Sequence, residues 1–279
     1  MRFFSILKPG IIFGNLITLC GGFFLASHDH FDGWLFLSVL VGMALIIGAG
    51  CIFNNLIDRD IDQLMDRTKN RSLVTRKIHP IIAIVYAFIL LTLGFVELYQ
   101  TTNFLTVWIA FIGFFVYVII YSICLKRSTT FSTIIGAISG AVPMVTGYTA
   151  VTNRFDTGAL LLFLIMFLWQ MPHFYAIAIY RMQDFIAADL PILPVKKGIR
   201  YTKICMLWYI VAFTIVAVLP SFFGYTGWSY GIVALVLGLF WLYTGIKGFS
   251  TGNDLKWARK MFLISIIEIM VLCVMMAIQ

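Results

Sequence analysis

Charge is scarce in this chain. Its 20 Lys and Arg and 12 Asp and Glu make up 11% of 279 residues, where a soluble domain of this length carries about a quarter. Polar alternation is missing too: the apolar stretches show no period of two, which excludes a membrane barrel of strands. The five cysteines (Cys20, Cys51, Cys124, Cys205, Cys273) sit inside apolar runs without CxxC pairing. They read as small buried hydrophobes rather than a disulfide or zinc framework. His28, His30 and His79 lack ligand spacing. What is abundant is apolar surface, 61% of residues, in runs long enough to cross ~30 Å of hydrocarbon as helices. A soluble enzyme, a disordered chain and a secreted module are all excluded. The chain reads as an all-α polytopic membrane protein.

Nine transmembrane helices are predicted, over 10–27, 34–57, 79–98, 104–122, 132–151, 158–180, 202–222, 227–247 and 261–278, forming one domain over 1–279. The run from Met1 to Ala26 is broken by Pro9, Gly10 and Asn15 and has no clean cleavage site, so it reads as an uncleaved first span. With nine spans, 19 of the 20 basic residues fall on one side and Arg154 alone on the other. That bias predicts a cytoplasmic N-terminus and an outer C-terminus. The net charge of +8 therefore belongs to loops beside the bilayer and does not point to nucleic acid. Two acidic segments, after spans two and six, lie four helices apart and so on the same side, as a parallel four-helix repeat would place them.

In the first segment Asn54, Asp58 and Asp62 are spaced at i, i+4 and i+8. On a continuing helix they share one face, and Asp60 points away from it. Oxygen donors crowded this way, with no His or Cys beside them, favour a hard cation such as Mg²⁺. Mg²⁺ on one or two carboxylates completes its shell with water and phosphate, and Arg67, Lys69 and Arg71 suit the remaining phosphate oxygens. The second segment repeats the pattern, with Asp184 and Asp189 flanked by Arg181, Lys196 and Lys197. Two acidic sites facing each other describe a clamp for a diphosphate, backed by an apolar bundle that can house a hydrocarbon tail.

The spacing of Asn54, Asp58 and Asp62, with a second acidic motif after span six, resembles the UbiA-type intramembrane prenyltransferase superfamily. Lys8-Pro9-Gly10-Ile11 with Asn15, Leu125-Lys126-Arg127-Ser128-Thr129, Trp169-Gln170-Met171-Pro172-His173-Phe174, Leu193-Pro194-Val195 and Trp257-Ala258-Arg259-Lys260 resemble its haem-farnesylating branch, along nearly the whole chain. Two features depart from the family pattern: Asp184 and Asp189 are five apart where the second motif is often DxxxD, and Ser72 follows Arg71 where a proline is frequent. The resemblance implies farnesyl diphosphate and haem b as substrates and haem O as product. It also implies Mg²⁺ on Asn54, Asp58, Asp62 and Asp184, and location in the bacterial inner membrane with the site on the cytoplasmic side. Arg67, Lys126 and Arg181 would add donors to the diphosphate, with Arg71, Lys196 and Asn15 completing the substrate-binding set. Tyr117, Tyr121, Trp169, Phe174 and Tyr180 are candidates to support an allylic cation through their π faces. A haem A synthase or a terminal oxidase assembly are the protein partners such a reading brings into view.

His173 lies deep in span six beside Pro172, and polar residues at that depth are functional by default. On a continuous helix His173, Tyr180 and Asp184 form one stripe ~16 Å long, with His173 at the acceptor end, as a haem ligand or hydrogen-bond donor. Its alternative role is a hydrogen bond to a neighbouring helix. Glu268, also intramembrane, reads as an interhelical hydrogen-bonding residue. Two other functions share these features. A sibling enzyme acting on an aromatic acid or quinone precursor would use the same clamp. A transporter would use the acids as ion sites, although these lie at one membrane edge rather than at the midplane.

Overall fold

A computed structural model describes residues 5–28 and 30–278; Arg2, counted among the basic residues above, lies outside them. Among the described residues, nine helices are long and apolar enough to cross a membrane. They are α1 (Pro9–Ala26), α2 (Gly33–Ile57), α4 (Pro80–Thr101), α5 (Phe104–Phe115, prolonged by a π-helical stretch Val116–Leu125), α6 (Ser132–Thr152), α7 (Thr157–Tyr180), α10 (Ile199–Phe222), α11 (Trp228–Lys247) and α12 (Asp254–Ala277). Three short helices, α3 (Arg59–Asp62), α8 (Met182–Ala187) and α9 (Leu193–Lys197), lie in the loops at the basic end.

Local chemistry sets where the helices begin. At the end opposite the basic loops, the side chains of Asp32, Asn103 and Asp156 accept from N–H groups of the first turns of α2, α5 and α7, filling donors that a helix start leaves unpaired. At the basic end, Pro9 and Pro80 open α1 and α4, where a missing N–H costs nothing. The side chain of Asn253 caps α12. The span predicted over 261–278 therefore starts seven residues earlier. Asp254, Lys256, Arg259 and Lys260 gave its first turns a loop-like composition, but these turns are helix that projects beyond the apolar run.

Helix neighbours repeat with a period of four. α1 packs on α2, α2 on α4 and α4 on α5; likewise α6 packs on α7, α7 on α10 and α10 on α11. The two sets meet where α1 crosses α6, and α12 closes the bundle against α1, α7 and α11. Backbones touch at the α1–α6 crossing: a Cβ on Gly22 would collide with the Met144 carbonyl oxygen, and one on Gly147 with that of Leu19. Small residues allow such close approach, and close packing holds helices together where lipid offers no hydrophobic drive. Outward faces carry large apolar side chains such as Trp34, Phe88, Trp208 and Ile232.

Several expectations change. Pro172 lies inside α7, which runs unbroken from Thr157 to Tyr180. α7 ends at Tyr180, Arg181 turns the chain, and Asp184 sits on the separate α8. The proposed stripe therefore stops at Tyr180. Cys124 is exposed on an outward face, whereas Cys51 and Cys273 are buried as expected.

Candidate active site

The first acidic segment bends without losing its register. α2 ends at Ile57 and Asp58 caps it, yet the Asp58 N–H bonds the Asn54 carbonyl at 2.9 Å and the Asp62 N–H bonds that of Asp58 at 2.8 Å. The i, i+4 spacing thus survives the corner. Asn54, Asp58 and Asp62 are all buried, at 4%, 1% and 2% exposure. Asp60 faces outward and pairs with Arg127 at 2.6 Å, which also donates to the Ile57 carbonyl. That guanidinium holds the Asp60 carboxyl below its usual range.

Each buried member of the triplet meets a cation. Lys126 pairs with Asp58 Oδ2, Arg71 reaches Asp62 Oδ2 at 2.5 Å, and Lys8 donates to Asn54 Oδ1 at 2.6 Å. Loss of hydration, with Arg71 and Lys126 nearby and Cys51 and Asp58 pulling the other way, pushes the Lys8 ammonium down to about 8. Lys8 was read from sequence only as a topology residue within a motif. Its place directly before Pro9, at the start of α1, is the signal that fixes its ammonium over the α2 end.

The π-helical stretch aims Lys126 and its neighbours. The Lys126 N–H bonds the Tyr121 carbonyl, five residues back, and Ser122 Oγ donates to that of Tyr117. Ser122 in turn accepts from Asn54 Nδ2 at 3.1 Å. Tyr117 and Tyr121 stack with centroids 5.9 Å apart, and the Lys126 ammonium lies 5.9 Å from the Tyr121 ring. Such wide turns inside α-helices are frequent at functional sites.

An apolar cluster brings the second acidic segment alongside. Ile61 and Met65, following the first triplet, pack with Ala188 and Leu190, and Phe185 and Ile192 lean on them. Arg67 lies between the two segments. Loss of hydration lowers its pKa first; Arg71 and Arg181 add to this, while Asp184 and Asp62 oppose it. Arg181 itself lies over the Tyr180 ring at 4.7 Å. Lys196 and Asp189 are exposed. Asn15 donates within its own helix, to the Ile11 carbonyl at 2.8 Å.

Deeper in the bundle, Trp169 and His173 stack with centroids 4.7 Å apart. Both are tied to α12: Trp169 Nε1 donates to the Ser265 carbonyl at 2.8 Å, and His173 Nδ1 lies 2.7 Å from Ser265 Oγ. The hydrogen bond to a neighbouring helix, given above as the alternative role for His173, is therefore present. Glu268, 1% exposed, finds no hydrogen-bond partner for either carboxyl oxygen among the described residues, so the expected interhelical bond is not made there.

Among the described residues no three His, Cys, Asp or Glu side chains gather into a ready-made metal cage. The donors present nevertheless fit a hard ion that shares its shell with a substrate. They are oxygens only, and Asp58 Oδ1 is buried without a partner among the described residues, an acceptor that burial penalises until a donor or cation meets it.

Nine apolar helices among the described residues, with a buried carboxamide–carboxylate row and a rim of Lys and Arg at one end, define an intramembrane helical bundle with a polar site at one membrane edge. Residues 15–267 match the UbiA prenyltransferase family, and the chain belongs to that family. A relative in Photorhabdus laumondii subsp. laumondii, described as a protoheme IX farnesyltransferase, is 51% identical over all of this chain and 95% of its own length. One of the same description in Serratia proteamaculans is 51% identical over all of this chain and 94% of its own. Among solved structures, a digeranylgeranylglyceryl phosphate synthase superposes with a TM-score of 0.80 at 19% identity, covering 99% of this chain and 98% of that one. A UbiA homolog from Archaeoglobus fulgidus bound to DMAPP and Mg²⁺ gives 0.77 at 15% identity, covering 99% of both chains.

Proposed function

We propose that this chain transfers the farnesyl group of farnesyl diphosphate to a vinyl group of haem b, giving haem O and diphosphate. The observation that carries the reading is the full-length match, at 51% identity, to relatives described as protoheme IX farnesyltransferases. The site agrees with it. Asn54, Asp58, Asp62 and Asp184 would hold Mg²⁺, which when bound offsets the negative charge that builds on a departing diphosphate. Lys126, Arg71, Arg67 and Arg181 supply donors to the diphosphate oxygens, and Lys8 adds a fifth cation. Donors fixed in place before the reaction stabilise the leaving group without reorganising.

Breaking the bond between C1 and oxygen leaves an allylic cation that water would quench. The surrounding apolar helices keep bulk water out, and the stacked Tyr117 and Tyr121 beside Lys126 offer π faces to the cation. The haem vinyl group then forms the new carbon–carbon bond. Water adds its oxygen to the resulting cation and loses a proton, giving the hydroxyethylfarnesyl group. The basic end, with the site, faces the cytoplasm of a bacterial inner membrane, and the chain acts as one domain.

The test is expression in cells that lack their own haem farnesylation, followed by pigment extraction. Haem O should accumulate, and the purified protein should release diphosphate only with Mg²⁺ and haem b present. Release that requires an aromatic acid or quinone precursor, with no haem O formed, would overturn the assignment in favour of a sibling enzyme.

A further inference from the structure

Ser265 Oγ stands 2.6 Å from the Phe262 carbonyl oxygen and 2.7 Å from His173 Nδ1. Both contacts are hydrogen-bond distances, and each needs a proton between its heavy atoms. A serine hydroxyl has one proton to give, and a carbonyl oxygen has none. The proton in the Phe262 contact must therefore be the hydroxyl's own. The proton in the His173 contact must come from the ring. Donating the hydroxyl to His173 instead would leave two lone-pair oxygens facing each other at 2.6 Å. Neutral His173 is thus the tautomer protonated at Nδ1, and its lone pair is on Nε2.

The ring cannot readily turn to exchange these roles. Trp169 stacks against it at 4.7 Å, Phe262 lies at 4.9 Å and Phe174 at 5.5 Å. The indole N–H is itself bonded to the Ser265 carbonyl, so α7 and α12 are joined twice at this turn. Ser265 is fully buried, at 0% exposure. His173 is only half-buried, and among the described residues Nε2 makes no hydrogen bond. An imidazole whose N–H is held by an oxygen and whose other nitrogen is an open lone pair is the usual arrangement of a metal-binding histidine. The same arrangement excludes neutral His173 as a donor through Nε2.

We infer that His173 binds the iron of the haem acceptor through Nε2, and that Ser265 is the positioning residue that sets the tautomer and ring orientation. The inference rests on the haem-farnesylating reading above and adds the atom that anchors the acceptor. Imidazole is an established axial ligand of haem iron. With the iron held at this depth, the porphyrin lies within the bundle rather than at the level of the carboxylates. His173 is seven residues deeper than Tyr180, roughly 10 Å along α7.

The experiment uses the purified full chain in detergent with haem b and no farnesyl diphosphate. It reads the iron–imidazole stretch of the ferrous form by resonance Raman, and haem affinity by optical titration. The wild-type protein should show an imidazole-ligated iron. His173→Ala should lose that signature and regain it with free imidazole. Ser265→Ala should keep the ligation but shift the stretch and weaken haem binding about 10-fold, the lower end for loss of a group that orients a metal ligand. Ser265→Thr, which keeps the hydroxyl, should restore both. An imidazole signature that persists in His173→Ala, or an unmoved stretch and affinity in Ser265→Ala, would overturn the inference while leaving the assigned reaction standing. A wild-type chain that binds no haem would overturn the assigned reaction, and this inference with it.

Discussion

Replacing Asp58 by Asn tests whether the buried carboxylate and Lys126 stabilise one another or merely coincide. The Asp58 side chain is 1% exposed and that of Lys126 17%, so the pair is largely shielded from water. Removing one partner of a buried ion pair costs about 3–5 kcal/mol, because the other charge is left uncompensated. Lys126 retains some solvent, so the lower end applies, about 3 kcal/mol. For a chain of this size each kcal/mol moves the melting temperature by roughly 2 °C. Asp58→Asn and Lys126→Gln should each lower Tm by about 6 °C in detergent, measured by intrinsic fluorescence. The double variant removes both charges, so its loss should fall short of the roughly 6 kcal/mol that adding the two single losses would give. A coupling of about 1–3 kcal/mol is expected for groups in contact. Turnover should follow a different pattern: all three variants should be nearly inactive, since a less-than-additive loss of stability restores neither the metal ligand nor the phosphate donor proposed above. Additive Tm losses in the double variant would refute the pairing and the electrostatic account of the site built on it.

Asp60→Ala should retain far more turnover than Asp58→Ala or Asp184→Ala, and lose less than about 1 kcal/mol of stability, because Asp60 and Arg127 form an exposed pair; equal inactivation in the radiolabelled transfer assay would contradict the outward face. Reporter fusions after Lys77 and Lys197 should both report the cytoplasm and a C-terminal fusion the outer face; a cytoplasmic C-terminal signal would mean that one helix does not span. Gly147→Leu should cost several kcal/mol, beyond the ~1–3 kcal/mol of ordinary overpacking, because even a Cβ there collides with the Leu19 carbonyl. Unchanged thermal stability would show that α1 and α6 do not touch as described.

Length and hydropathy made the helices legible, since nothing but a helix can carry twenty apolar residues through lipid. The ends were less so wherever charge continued into helix, as at Asp254 to Lys260, because composition reports the solvent around a residue and not its backbone. The spacing of Asn54, Asp58 and Asp62 was legible for the same helical reason, and the outward turn of Asp60 followed from it. The break at Arg181 was not, since neither Gly nor Pro marks it, and the stripe to Asp184 failed there. The wide turns of Val116–Leu125 leave no trace in hydropathy, yet they aim Ser122 and Lys126 at the triplet. Ile61, Met65, Ala188 and Leu190 looked like isolated apolar residues in polar loops because their contacts join segments more than a hundred residues apart. The tie from His173 to Ser265 crosses 92 residues, and no local pattern announces it.

That loop cluster bears on how substrate gets in. Parting the two acidic segments would expose Ile61, Met65 and Leu190, now 7%, 4% and 3% exposed. Uncovering side chains of this size costs about 1.5–3 kcal/mol each, together roughly 5–9 kcal/mol. At 1.4 kcal/mol per factor of ten, a protein with its loops swung apart is present about once in several thousand molecules at best, and far more rarely at the upper figure. Traffic through so rare a state would be slow. A prenyl chain that reached the carboxylates without parting these loops would not pay this cost. On this account the loops at the basic end are a roof over the buried carboxylates rather than their entrance.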